Sequence, residues 1–371
     1  MTATTMEMLS ASAEAGLQSM TTFLRRLVQT PSLSGQEEAA LEVWAQQAAA
    51  WGFTPQVDGR NVWIEHRVND GPALLLNSHL DTVRASESWT RDPWDGALEG
   101  GRVHGLGAND AKGCVVAQLT AAKRLVDRGF EGNLVVCASC DEETGGAGME
   151  RIAKTLPRYD AAIIGEPNDF LVAAGQRGLV KGHIHIEGQR AHASRPWQGA
   201  NAIHAAAKVV AAVEAEHLNI PDDLTRATAQ VTLIEGGTQS NVVPDRCTLT
   251  IDSRTTPSFD NEAMIAHLNA AAAKGGATFE IYSERFRPVD TPRDSAVVAA
   301  ALAVTGRAEA TVFPSVCDLF WVAHVPSIVM GPGRPERSHQ ADEFVKVSEV
   351  DAGADTYAAC VNAWWHRISE R

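Results

Sequence analysis

Residues 74–83 read LLLNSHLDTV. Leu74, Leu75, Leu76 and Asn77 suit a buried strand, yet they run directly into a histidine and an aspartate, two side chains that are costly to bury. In a strand, residues two apart face the same way, so His79 and Asp81 share a face. A metal-binding histidine usually gives its other ring proton to a carboxylate, which fixes the tautomer and raises its basicity. H-x-D can therefore supply a ligand and its orienter at a strand end, where an open α/β sheet places its site. From this motif alone, a satisfied core histidine or a helix cap reads equally well.

The surrounding pattern supports such a sheet. The apolar spacing from 22 to 53 is helical, with a break at PSLSG (31–35). Short apolar runs recur at 61–65, 73–77, 133–139 and 161–165, with helical segments such as 115–128 and 148–156 between them. This alternation predicts an α/β domain with a mostly parallel sheet. After Arg177 the pattern changes to VKGHIHIEG, an amphipathic helix from 201, the strands AQVTLIEG and RCTLTIDSRT, a helix at 261–274 and the strand ATFEIYSE. The order β-α-β-β-α-β is that of a ferredoxin-like α+β sandwich. The α/β pattern resumes near Arg287, with a helix at 295–305, the strand VPSIVMG and a closing helix from Val350. The expected division is 1–177 with 287–371, and an inserted domain at 178–286.

A chain of 371 residues favours two domains. Its net charge of −14 argues against nucleic acid as a partner. The opening MTATTMEMLSASAEAG has no basic cluster leading into an apolar run, and no stretch approaches a membrane span. With six scattered cysteines, a cytoplasmic location is expected. Cys137 and Cys140 form a lone CxxC inside an apolar run and are read as core packing rather than zinc or redox chemistry.

Other strands end as the first does. LVVCAS runs into Asp141, Glu142 and Glu143; AAIIG runs into Glu166; SIVMG is followed by His339; and Asp110 lies between a Gly-rich turn and a helix start. Buried like charges repel unless a cation holds them, and mixed His and carboxylate ligands suit zinc, with cobalt or manganese able to substitute. G-x-S-x-G, Walker A and H-E-x-x-H motifs are absent, and GLGAND lacks the third glycine of a dinucleotide fingerprint.

In this order SHLDTV, GLGANDAKG, DEETGG, GEP, RAHASRP and SHQADEF resemble the di-zinc amidohydrolases and metallopeptidases, which include acetylornithine deacetylase, succinyl-diaminopimelate desuccinylase, aminoacylases and glutamate carboxypeptidase. The resemblance covers nearly the whole chain. It implies a zinc-peptidase-like catalytic domain, an inserted lid and dimerisation domain, and two zinc ions per chain. His79 and Glu166 would hold one zinc, Glu143 and His339 the other, and Asp110 both. The peptide after Asp110 would be cis and Asp81 would orient His79. Glu142 would be the general base that takes a proton from water and passes it to the departing amine. His192 would donate to the oxyanion, reaching the partner's site across a lid-to-lid homodimer. Arg254 and Asn241 would hold the substrate's carboxylate and backbone.

The substrate class implied is a small N-acyl amino acid or short peptide. WTRDPWDG, HGLG and GPG look most like the acetylornithine deacetylase branch, which points to N-acetyl-L-ornithine and arginine biosynthesis. Open alternatives are succinyl-diaminopimelate, a carrier-linked acyl-lysine, a carboxypeptidase or dipeptidase activity, and an inactive binding module. Where many relatives have a Gly-Thr-Ser-Asp type segment, this chain reads PSVCDLFW (314–321). Asp318 there could recognise a cationic side chain or be structural.

Overall fold

Leu74, Leu75 and Leu76 are fully buried, and every residue of their strand is shielded from solvent. Burying such a side chain contributes about 1.5–3 kcal/mol, so this strand anchors the core. The computed structural model describes residues 3–214 and 226–369, which divide into two compact units. The first comprises 3–174, 291–311 and 317–369. Helices α1 (Ala3–Val28) and α2 (Glu38–Ala50) precede strands β1 (Gln56–Asp58), β2 (Asn61–His66) and β3 (Ala73–His79). Then come α3 (Gly113–Asp127), β4 (Asn133–Ser139), β5 (Ala161–Ile164), α4 (Ala296–Thr305), β6 (Ser327–Val329) and α5 (Val347–Ser369).

The strands lie in the order β1-β2-β4-β3-β5-β6. The four from β4 to β6 are parallel, whereas β2 runs antiparallel to β4 and is joined to β1 by a two-residue hairpin, Gly59 and Arg60. Gly59 has a φ of 62°, which glycine adopts without steric cost. The chain passes from β3 to β4 on one side and returns to β5 on the other. Such a reversal opens a crevice at the carboxyl ends of the central strands. Strands β3, β4 and β5 are buried along their whole length, as expected of a parallel sheet covered on both faces.

The second unit comprises 175–214, 226–290 and 312–316. Its strands Gly178–Glu187, Thr228–Gly236, Arg246–Thr255 and Phe279–Ser283 form one antiparallel sheet, with the second strand at one edge and the fourth at the other. Helices Ala202–Val213 and Asn261–Ala273 pack on it through a core that includes Val180, Ile184, Leu249, Ile251, Met264 and Leu268. This is the ferredoxin-like order. The alternation VKGHIHIEG becomes the burial pattern of the first strand, with Val180, Gly182 ringed by Phe279, Ile184 and Ile186 towards the core. Part of the amphipathic helix expected from 201 lies outside the described residues. Residues 312–316, which the sequence assigned to the first domain, group with the second unit, because the Arg177 N–H donates to the Phe313 carbonyl.

Candidate metal centre

Each strand of the parallel set delivers a polar group where its buried run ends. His79 closes β3, and Glu142 and Glu143 lie on a short helical turn just after β4. Glu166 follows β5 by two residues, and His339 lies in the loop after β6. Asp110 sits in a wide helical turn at 108–112 leading into α3, and the Asp110–Ala111 peptide is cis. His339 has a φ of 60°, an uncommon backbone conformation for a non-glycine residue.

The structure brings these groups together in the first unit. His79 Nε2 lies 3.3 Å from Asp110 Oδ1, and His339 Nε2 lies 3.7 Å from Asp110 Oδ2. The two oxygens of one carboxylate thus face the two imidazoles. His339 Nε2 is 3.0 and 3.1 Å from the Glu143 oxygens. One potential ligand atom from each of His79, Glu142 and Glu166 lies within 4.8 Å of the others, and the same holds for His79, Asp110 and Glu143. The two groups share His79.

Asp81 does more than orient the imidazole. Its backbone carbonyl is 3.0 Å from His79 Nδ1, and its carboxylate is 3.4 Å from the same nitrogen. The carboxylate also accepts the N–H groups of Glu142 at 3.0 Å and Glu143 at 3.1 Å. One buried side chain therefore braces both strand ends.

The charges are crowded. Burial pushes the Glu142 and Glu166 carboxyls well above the usual range; Glu166 raises Glu142 further, and Asp110, Glu143 and Asp318 raise Glu166. Burial works against protonation of His79, but the Asp110 and Asp81 carboxylates outweigh it and hold the imidazole well above its ordinary value. The Glu143 carboxylate carries His339 up to about 9. Protons are thus retained where positive charge is wanted, and two imidazoles amid carboxylates are a donor set that fits divalent metal ions. Metal ligation requires neutral imidazoles, so an ion would displace those protons.

Two supporting residues escaped the sequence reading. Glu343, buried beside the Asp110 turn, accepts the N–H groups of Gly107, Asn109 and Asp110 at 3.1, 2.7 and 2.9 Å. Burial and Asp110 push its carboxyl up to about 8. Lys112 is fully buried and donates to the carbonyls of Leu27 and Thr30, tying the same turn to the end of α1. Glu343 was visible only as the second of two acidic residues in SHQADEF, and its three backbone partners lie over two hundred positions away, so nothing local signals its role.

Asp318 is tied into the interior through one of its two carboxylate oxygens, and the other, Oδ1, has no hydrogen-bond partner among the described residues. It is 1% exposed, and its Oδ2 accepts from Ser139 Oγ at 2.7 Å and Asn77 Nδ2 at 3.0 Å. Cys317, Cys137 and Cys140 are also buried.

In the second unit, His192 and Asn241 come together. His192 pairs with Val242, and the Ala193 N–H donates to the Asn241 carbonyl at 2.9 Å. His192 is exposed, and its Nδ1 accepts the Ser194 N–H at 3.1 Å, which leaves the ring proton on Nε2. Arg254 is engaged within its own strand, its Nε donating to Asp252 Oδ1 at 2.9 Å. A substrate carboxylate would have to compete with that contact.

An α/β sheet with clustered imidazoles and carboxylates at its carboxyl edge defines a metal-dependent hydrolase. The chain belongs to peptidase family M20/M25/M40, whose model matches residues 75–363. It is 28% identical to an acetylornithine deacetylase of Proteus mirabilis over 355 residues, covering 88% of this chain and 92% of that protein. It is 26% identical to a succinyl-diaminopimelate desuccinylase of Marinobacter nauticus over 356 residues, covering 89% and 94%. The fold matches a dinuclear metal binding peptidase of the M20 family from Bacillus subtilis with a TM-score of 0.72 at 18% identity, covering 94% and 98%. Among the described residues, no helix is long and apolar enough to cross a membrane.

Proposed function

We propose that this chain hydrolyses the amide bond of an N-acyl amino acid with two zinc ions, and that its substrate is N-acetyl-L-ornithine, within arginine biosynthesis. The observation that carries the reaction is Asp110, whose two oxygens face His79 and His339, with Glu142 one residue from Glu143. The deacetylase of Proteus mirabilis supports the substrate. His79 and Glu166 would hold one ion, Glu143 and His339 the other, and Asp110 would serve both. Bound zinc would supply Lewis-acid assistance at the amide carbonyl.

The chain's own residues handle the protons. Glu142, as the carboxylate, takes a proton from the attacking water and returns it to the nitrogen as the C–N bond breaks. The second unit serves as a lid and dimerisation domain. His192 of the partner subunit donates its Nε2–H to the developing oxyanion, while Asn241 and Arg254 hold the amino-acid portion. Free cysteines at all six positions fit work in the cytoplasm.

The second reading, favoured by the Marinobacter nauticus relative, is removal of a succinyl group from diaminopimelate. Zinc-loaded protein should be offered N-acetyl-L-ornithine, N-succinyl-diaminopimelate and a dipeptide panel. Ornithine release at the highest kcat/KM is the expected result. A preference for the succinyl substrate would move the pathway and keep the mechanism, whereas turnover of dipeptides alone would overturn the deacetylase reading.

Loss of the His192 donor is expected to lower kcat by about 10²–10³-fold. Because the donor comes from the other chain, mixing H192A protein with E142A protein should restore activity. The mixed dimer has one site with an intact Glu142 and an intact partner histidine. An inactive mixture, measured after the chains have exchanged, would place the donor within its own chain.

A further inference from the structure

We infer that residues 34–37 and Arg60 form a positioning clamp for the turn that carries Glu142 and Glu143, an inference that rests on the roles proposed above for those two residues. Three consecutive N–H groups of this turn are each held by a buried carboxylate. Asp141 donates to Glu37 Oε1 at 3.1 Å, and Glu142 and Glu143 donate to the two oxygens of Asp81. Both carboxylates are in turn fixed by the loop before α2. Ser34 Oγ donates to Asp81 Oδ2 at 2.7 Å, and the Gly35 N–H donates to Glu37 Oε1 at 2.9 Å.

Arg60 completes the arrangement from the tip of the β1–β2 hairpin. Its Nε donates to Glu37 Oε2 at 2.5 Å, and its Nη2 is paired with the Asp141 carboxylate. The guanidinium fork suits this task because it can hold two acceptors at once. It also fills the space among Glu37, Cys140 and Asp141, a grouping that would otherwise look like a further cation site. The Glu37 side chain is fully buried, a placement tolerated because Arg60 and two N–H donors satisfy it.

The clamp has a definite object. Asp141 has φ 57° and ψ 21°, a left-handed conformation that most residues with a side chain avoid and that aspartate tolerates better than most. The chain direction at Asp141 decides where the next two side chains point. Held there, the turn sends Glu143 towards His339 and Glu142 towards His79 and Glu166. Released, it would relax towards ordinary backbone geometry and misplace both. Arg60 and Glu37 are positioning residues, since neither approaches the reacting atoms except through this turn.

The test uses the zinc-loaded full chain and its Arg60→Ala variant. We expect R60A to fold and to load two zinc ions, yet to lose about tenfold or more in kcat with KM changed less than about twofold. One zinc, the ion shared by Glu143 and His339, should pass to a chelator faster than in the parent while the other is unchanged. Because the Arg60 side chain is 30% exposed, methylguanidinium added from solution should restore kcat. An unchanged kcat would overturn the clamp, as would equal loosening of both ions with no rescue, the signature of general destabilisation. Should R60A fail to fold, Arg60→Lys carries the test. An ammonium keeps the charge but lacks the planar fork that holds the two carboxylates in a fixed geometry. R60K should therefore retain the fold and lose part of kcat, and a parental kcat together with parental zinc release to chelator would overturn the clamp. Parent protein that binds no zinc or hydrolyses no N-acyl amino acid would refute the proposed function instead, and is told apart by the parent alone.

Discussion

Glu142→Ala protein is expected to bind metal as the parent does and to turn over about 10²–10⁴ times more slowly, the range spanned by general acid–base groups. The carboxyl reaches the cluster beside His79 and Glu166, yet it is not needed to complete the pairing of Asp110 with the two imidazoles. Its removal should therefore spare metal content, measured by elemental analysis, while kcat collapses. Glu142→Gln, which keeps the shape and removes the proton acceptor, should fall as far. Parental turnover in either variant would refute the role of base. Loss of metal together with activity would instead make Glu142 a ligand.

Removing the metal should have the second large effect, on stability as well as on activity. A chelator is expected to abolish hydrolysis, and zinc to restore it. The stabilisation lost follows from mass action and reaches about 4 kcal/mol where free zinc had exceeded its dissociation constant about 1,000-fold. The metal-free protein should also acquire a pH dependence of known sign. Glu142, Glu166, His79 and His339 all have raised folded-state values, so the folded chain holds more protons than the unfolded one. The stability they contribute is complete below their unfolded values and is lost as the pH climbs; for His339 the window runs from 6.5 to about 9. Lys112, lowered to about 7 by burial, works in the opposite direction. Because Lys112 is not a ligand, comparing loaded with metal-free protein at each pH largely removes its contribution. Melting temperatures of the metal-free form that rise over this window, relative to the loaded form, would contradict the assignment.

Where a residue's place is set by the chain's local pattern, the sequence announced it. Leu74 to Asn77 read as a buried strand because the run is short, apolar and abruptly ended, and the same signature located β4, β5 and β6. His79, Asp110, Glu142, Glu143, Glu166 and His339 each had an ordinary reading alone, and stood out only as a set recurring near strand ends and within motifs that resemble one family. What stayed hidden depends on contacts distant in sequence. PSLSG looked like a mere break between helices, yet Ser34 and Gly35 bind the carboxylates that brace a turn over a hundred residues away. Arg60 lay unremarked beside the apolar run at 61–65, and Glu343 was one more acid in a loop. Asp318 showed the converse: its type suggested a ligand for a cationic substrate, and only its burial against Asn77 and Ser139 reveals a structural tie. The antiparallel β1–β2 flank went unread because direction is set by a two-residue connection, not by periodicity.

Strands β3, β4 and β5 are buried along their whole length, and the imidazole and carboxylates of the cluster come only at or beyond their carboxyl ends. Selection can therefore act on the two parts separately. Substitutions in the loops beyond the strand ends can alter which substrate is accepted while the apolar interior goes on specifying the same frame, so a change of diet need not bring a change of shape.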